Sequence, residues 1–199
     1  NTTGDNNVAI GTDALGANIT TNGNVAVGYN ALLVNTAADN VAVGSAALDA
    51  NTSGIRNTAL GTSALSAIVS NNDSTALGYN ALLLDTGGEN TAVGSRALDA
   101  NTSGVRNTAL GTDALGAAAT DNDNVAVGYN ALLTSAGGAD NVAVGSQAMD
   151  GNDDGNRNIA VGSDSLGHAD MSGNDNVAVG HQALDANTTG DNNVAIGTD

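Results

Sequence analysis

The side chains of this chain that could do chemistry are its carboxylates and two histidines. Five acids lie in short Asn- and Asp-rich segments, which carry the oxygen ligands that Ca²⁺ prefers. None of these segments has the spacing of an EF-hand or of the glycine-rich nonapeptide calcium rolls. Calcium is the one ligand that these segments offer, but solvated turns without a metal are the interpretation that the sequence favours. The candidate calcium ligands are Asp121, Asp123, Asp153, Asp154 and Asp175.

Residue patterns of catalytic sites are missing from the sequence. His168 and His181 have no partners at the spacing of a catalytic triad or a zinc site, so we interpret them as surface turn residues. The chain has no Lys, which excludes a Gly-Lys phosphate-binding loop, and no Cys. Each carboxylate lies in a repeated turn, whereas a catalytic site needs a unique cluster. We therefore predict that the protein is not an enzyme and has no cofactor, with calcium as the alternative.

Charge and composition restrict the partners. The 199 residues carry a formal charge of −17, with four Arg and 21 acids, which disfavours nucleic acid and anionic membrane surfaces. No apolar run is long enough to predict insertion into a membrane. The chain also lacks Trp, Phe and Pro, and its apolar residues are mostly Ala, Val and Leu. Any core must therefore be thin and built by repetition, and the regular Val/Leu spacing argues against disorder.

One nonapeptide organises the whole chain. Residues 124–132, Asn-Val-Ala-Val-Gly-Tyr-Asn-Ala-Leu, have close copies every 16 to 18 residues. Three such units form a longer period of about 50 residues, marked by Tyr29, Tyr79 and Tyr129. Residues 1–13 recur as residues 187–199. We interpret 1–199 as a single repeat domain that is a segment of a longer tandem array. The motif glycines are Gly11, Gly28, Gly44, Gly61, Gly78, Gly94, Gly111, Gly128, Gly145, Gly162, Gly180 and Gly197.

The unit predicts one coil of a parallel β-solenoid. Asn-Val-Ala-Val reads as a short strand that ends at Gly, Ala-Leu as a second short strand or turn, and the Asn/Asp/Ser/Gly segments as turns. The predicted fold is all-β, with about 12 coils of about 17 residues stacked at about 4.8 Å. Glycines seven residues before the motif glycine, such as Gly54 and Gly104, predict a turn with positive φ.

Positions within the unit predict the facing of each side chain. We expect the residue before the motif glycine and the Leu four after it to face the coil interior. The Ala two before it then faces outward, where small residues would permit packing against other copies; the alternative is that Ala suits a tight interior. The Asn four before it, replaced only by Ser74, predicts a hydrogen-bonded ladder from amide to carbonyl.

A column of charges five residues before the motif glycine tests this alignment. Each of three Arg lies between two acids on adjacent coils, and opposite charges stacked at strand spacing attract. We predict exposed charge triplets that fix the coil register. They are Asp39–Arg56–Asp73, Glu89–Arg106–Asp123 and Asp140–Arg157–Asp175.

The unit Asn-x-Val-Ala-(Val/Ile)-Gly resembles the head repeats of trimeric autotransporter adhesins (the YadA-like head). It resembles equally the Asn-Thr-Ala-Val-Gly-Tyr-x-Ala-Leu repeats of phage tail fibres and of surface proteins that end in an intramolecular chaperone domain. The resemblance covers the whole chain and implies a left-handed β-roll that forms homotrimers. The unit is longer than the usual adhesin repeat, and no neck or coiled-coil stalk is present.

These observations favour a structural or adhesive segment of a long extracellular fibre, at a cell surface or on a virion tail. The expected partners are other copies of the chain, in a homotrimer and end to end, with any host or surface ligand unknown. One alternative is a binding module for a periodic surface such as glycan, ice or mineral. Thr12, Thr62 and Thr112 occur only in every third unit, which weakens the ice reading. A calcium-stabilised spacer is the other alternative.

Overall fold

The protein is an all-β solenoid in the computed structural model, which describes residues 3–117, 120–135, 137–151, 154–167 and 172–198. Twelve three-residue strands occupy the same place in successive units, and no helix occurs in these ranges. The strands are β1 Val8–Ile10, β2 Val25–Val27, β3 Val41–Val43, β4 Thr58–Leu60, β5 Thr75–Leu77, β6 Thr91–Val93, β7 Thr108–Leu110, β8 Val125–Val127, β9 Val142–Val144, β10 Ile159–Val161, β11 Val177–Val179 and β12 Val194–Ile196.

All strands form one parallel sheet in sequence order, from β1 to β12. Each strand pairs with the next unit in matched register, so that Ala109 lies beside Ala126 and Leu110 beside Val127. Twelve strands in this order enclose about eleven full turns of about 17 residues. At ordinary strand spacing the sheet is therefore about 50 Å long. The predicted parallel β-solenoid and its coil alignment are confirmed.

Each strand ends at a motif glycine, whose positive φ disfavours any other residue. Gly128 has φ +140°, and a Cβ added to it would lie 2.3 Å from the carbonyl oxygen of Gly145 in the next coil. A side chain at this position would therefore break the contact between neighbouring coils. The motif glycine bends the chain and lets the coils approach closely.

The Ala-Leu segment forms consecutive turns rather than a second strand. Asn130 and Leu132 both have left-handed φ, at 54° and 49°, and this alternation reverses the chain within a few residues. Leu in this conformation costs about 1–2 kcal/mol, which its complete burial offsets. The Leu132 N–H still donates to the Ala148 oxygen at 2.9 Å, so coil-to-coil bonding continues through the turns.

The predicted facing of the strand was wrong at two positions. Ala126 is fully buried, whereas Val127 is partly exposed and Leu110, at the same position one coil earlier, is 47% exposed. The interior holds this Ala, the Ala five residues later and the Leu after that, such as Ala131 and Leu132. The middle Ala has no exposed surface in strands β2 to β11, and we attribute its burial to the consecutive turns, which narrow the coil. The alternative interpretation, that Ala suits a tight interior, is the correct one, and Leu132 is interior as predicted.

The glycines seven residues before the motif glycine were also misread. Gly54, Gly87 and Gly104 do not have positive φ. A Cβ on Gly104 would lie 2.2 Å from the backbone carbonyl oxygen of Asp121 in the next coil. Close approach between coils therefore selects glycine here. The left-handed residue of this turn comes two positions later, where Arg106 has φ 57°.

A ladder of asparagines holds each coil to the next, but its bonds run to the backbone. The Oδ1 of Asn124 accepts the Asn141 N–H at 2.8 Å, and its Nδ2 donates to the Gly138 oxygen at 2.8 Å. Each buried Asn thus satisfies one donor and one acceptor of the following coil. Bonds from amide to side-chain carbonyl occur in addition at Asn176, whose Nδ2 is 3.1 Å from the Asn158 Oδ1.

A second asparagine column lies seven residues after the motif glycine and was not predicted. Asn51 accepts the Gly54 N–H and donates to the Gly54 oxygen, both at 3.0 Å, which caps the turn inside its own coil. The signal was weaker in the sequence because this column also contains Ile68, Asp85 and Ser135. Members of the column that keep Asn include Asn18, Asn35, Asn51, Asn101 and Asn187.

Candidate functional site

The outward face of the sheet is mostly aliphatic and carries no charged residue along the twelve strands. In strands β2 to β11 the middle Ala is buried and the residues on either side of it are partly or fully exposed. Across all twelve strands these flanking residues are only Val, Ile, Leu or Thr. Leu60 is 44% exposed and Leu110 47% exposed, although β-branched and aliphatic side chains favour burial. We call these flanking positions the aliphatic face.

Tyrosines border the aliphatic face at every third coil. Tyr29, Tyr79 and Tyr129 follow the motif glycine directly, and each is more than half exposed. Three coils at strand spacing separate neighbouring tyrosines by about 14 Å. Contiguous exposed apolar surface of this extent is typical of association sites rather than of isolated monomers.

The charged side chains lie away from the aliphatic face, on the turns. The Arg106 guanidinium donates to both carboxylate oxygens of Asp123, at 2.6 and 2.8 Å. Both side chains are substantially exposed. The guanidinium beside it holds the pKa of Asp123 below its usual value. Because the two residues belong to adjacent coils, the predicted register is confirmed.

The predicted triplets are pairs with a more distant third charge. In each, Arg bonds to the acid of the following coil, and the acid of the preceding coil acts on the Arg pKa only through its charge. A fourth pair, Arg96–Asp113 at 2.6 Å, lies two residues after the motif glycine and was missed, although the 17-residue spacing could have shown it. The other three pairs are Arg56–Asp73, Arg106–Asp123 and Arg157–Asp175.

Two acids that the sequence placed in turns are buried. Asp85 is fully buried in the second asparagine column, where its Oδ1 accepts from Gly87, Asn90 and Asn101. Desolvation raises its pKa to about 6. Asp121 is 2% exposed, and burial likewise raises its pKa.

The candidate calcium ligands do not form one group. Asp123 and Asp175 are bound to Arg106 and Arg157. Asp121 is near enough to Asp154 for the charge of Asp154 to raise its pKa, while Asp153 lies outside the described residues. Within the described ranges, no three acidic or histidine side chains are close enough to hold a metal by themselves. Calcium binding stays a prediction, now restricted to the neighbourhood of Asp121.

The histidines have separate outcomes. His181 is exposed in the turn after a motif glycine, as predicted, and His168 lies outside the described residues. Among the residues that the structure describes, no helix is long and apolar enough to cross a membrane.

Comparison with known proteins gives no match: no protein-family model, curated protein or solved structure is significantly similar to this chain.

Proposed function

We propose that this chain is a structural segment of an extracellular fibre, serving as shaft or head, and that copies associate through the aliphatic face. The observation that carries the proposal is a sheet face of twelve strands that is aliphatic except for four Thr and has no charged residue in it. On a chain of charge −17, such a surface would be costly to leave in water.

The occupant that fits this face best is a second copy of the chain. The strands repeat at one spacing, so two aligned copies can place Leu110 and its equivalents against each other along the full length. Flat sheets buried on both sides have apolar residues at successive positions, as these strands do. The resemblance to adhesin heads and tail-fibre repeats favours three copies around an axis.

The mechanical properties follow from the repeated contacts. Each coil is joined to the next by backbone bonds at the strand and turns, by the asparagine ladder and by a continuous Ala/Leu interior. Among the described strands, contacts join only neighbouring coils, and a rod of any length can be built in this way. We propose a role at a cell surface or on a virion tail, where such rods carry load.

Light scattering coupled to size-exclusion chromatography tests the association. We expect the wild-type chain to elute with a mass that is a multiple of 19.2 kDa. The double substitution Leu60→Glu and Leu110→Glu places two charges on the aliphatic face and should give a monomer. A monomeric wild-type chain at tens of micromolar would overturn the proposal.

The matched control uses the same two coils. Ser53 and Ser103 are exposed, lie seven residues before Leu60 and Leu110, and are outside the aliphatic face. Ser53→Glu with Ser103→Glu adds the same charge and should leave the mass unchanged. If both double variants dissociate, net charge rather than the face controls association.

Adhesion is a second candidate function, favoured by the exposed tyrosines at about 14 Å intervals. Aromatic side chains spaced along a rigid surface suit a periodic polymer such as a glycan. Binding to a glycan array that is lost on substitution of Tyr29, Tyr79 and Tyr129 by Ser would support it. No binding to any glycan would leave the tyrosines as part of the association surface.

A further inference from the structure

The second asparagine column has no Asn in the two coils that follow the coil of Asn101. In the coil of Asn51 the side-chain amide fills the turn and satisfies Gly54. In the sequence, the same position holds Ala118 in the coil of Asp121 and Ser135 in the next coil. Neither residue can supply the amide donor, and the side chain of Ser135 is shorter than that of Asn.

Asp121 lies beside this interruption, at the position that Gly54 has in its own coil, and its carboxylate is unsatisfied. It is 2% exposed, and neither of its oxygens has a hydrogen-bond partner. The Ser135 hydroxyl oxygen, in a residue 3% exposed, also has none. Ser135 is near enough to lower the pKa of Asp121, but its hydroxyl does not meet the geometry of a hydrogen bond.

A third oxygen donor reaches the same turn from the next coil. A Cβ built on Gly137 would lie 3.3 Å from the Asp154 Oδ1, so the Asp154 carboxylate lies over the glycine two residues after Ser135. Asp154 is exposed, and its charge raises the pKa of Asp121. A solvent-facing carboxylate beside a buried one gives an ion a path into the turn.

A buried carboxylate without donors is costly unless a proton or a cation neutralises it. Asp85 shows the contrast, because its Oδ1 accepts three N–H donors and two of them are asparagine amides. Around Asp121 the described unsatisfied groups are oxygens only. Oxygen ligands with carboxylate charge are the set that Ca²⁺ prefers.

We propose that Asp121, Ser135 and Asp154 form a calcium site that replaces the missing asparagine amide between these coils. Asp121 supplies the buried carboxylate, Ser135 a hydroxyl oxygen and Asp154 the carboxylate at the entrance. Water and backbone carbonyls complete the coordination that Ca²⁺ requires. The site concerns one stretch of the solenoid and does not depend on association through the aliphatic face.

Isothermal titration with CaCl₂ in 150 mM NaCl tests the site. We expect one Ca²⁺ per chain for the wild type, and loss of this binding in Asp121→Asn. Asp154→Asn should weaken binding at least tenfold. The control Asp85→Asn removes another buried carboxylate and should bind Ca²⁺ like the wild type.

Thermal unfolding in EDTA and in CaCl₂ gives a readout independent of the titration. Ca²⁺ should raise the melting midpoint of the wild type and of Asp85→Asn by at least about 2 °C and leave that of Asp121→Asn unchanged. In EDTA, Asp121→Asn should melt no lower than the wild type, because it removes an uncompensated charge. Binding that survives in Asp121→Asn, or no binding by the wild type, would overturn the proposal.

Discussion

Asp85 has a second carboxylate oxygen where the asparagines of its column have an amide nitrogen. Its Oδ1 accepts from Gly87, Asn90 and Asn101 at 2.6 to 3.1 Å, whereas its buried Oδ2 has no hydrogen-bond partner. Asn51 at the equivalent place uses its Nδ2 to donate to Gly54. The chain therefore contains a charge where most coils have a neutral donor.

Stability should depend on pH through this residue. Burial raises the pKa of Asp85 to about 6 from 3.8, so the folded state holds the proton more tightly than the unfolded state. The free energy of unfolding should therefore fall as pH rises from about 4 to about 6, and stay low above that. The shift corresponds to a loss of about 3 kcal/mol at most.

Asp85→Asn should remove this dependence. We expect the variant to equal the wild type near pH 4 and to be more stable at pH 7 to 8, since Asn can donate as Asn51 does. Urea unfolding from pH 4 to 8 measures the difference between the two curves. Asp5→Asn, at an exposed acid, is the control and should leave the curve unchanged. Parallel curves for wild type and Asp85→Asn would contradict the assignment.

At the scale of the coil, the asparagine ladder shows what one unit contributes to the next. Asn124 accepts a hydrogen bond from the Asn141 N–H and donates one to the Gly138 oxygen. Ser74 is the exception in the ladder, and its Oγ is 3.4 Å from the Asn90 nitrogen, a weak contact. The chain therefore contains its own example of a weakened rung.

Asn124→Ser should reproduce that weak rung in a central coil. The variant loses the donor to the Gly138 oxygen and lengthens the bond from Asn141, at a cost of about 1–3 kcal/mol. Equilibrium urea unfolding measures it. Thr112→Ser also shortens a side chain but at an exposed position, and should change stability by less than about 0.5 kcal/mol. Equal effects of the two substitutions would show that the ladder contributes little.

The sequence was sufficient for the coil and its register but not for the facing of every side chain. The spacing of the motif glycines predicted the pairing of Ala109 with Ala126, and the Arg106–Asp123 pair confirmed it. Facing depends on the coil's width, which left-handed φ at residues such as Leu132 determines. Because Leu rarely adopts a left-handed φ, a Leu in the sequence does not indicate this conformation. The burial of Asp85 and Asp121 was missed for a related reason, because isolated acids in polar turns are usually solvated.

At the scale of the whole molecule, charge and apolar surface are separated. All four Arg of the sequence are bound to Asp residues of the same chain, on the turns. The aliphatic face contains none of the 21 acids. Association of two copies through this face is thus favoured by apolar burial. It is opposed by the repulsion between their net charges.

Salt should therefore strengthen association. Raising NaCl from 20 to 300 mM shortens the screening length from about 20 Å to about 6 Å, which weakens repulsion between chains of charge −17 without affecting the apolar contact. Sedimentation velocity across this range should show the oligomer fraction rising with salt in the wild type and in Ser53→Glu with Ser103→Glu. The variant with Leu60→Glu and Leu110→Glu should stay monomeric throughout. If salt instead dissociates the wild-type oligomer, attraction between opposite charges holds the copies together, and since every Arg is already paired within its own chain, those pairs would have to exchange between copies.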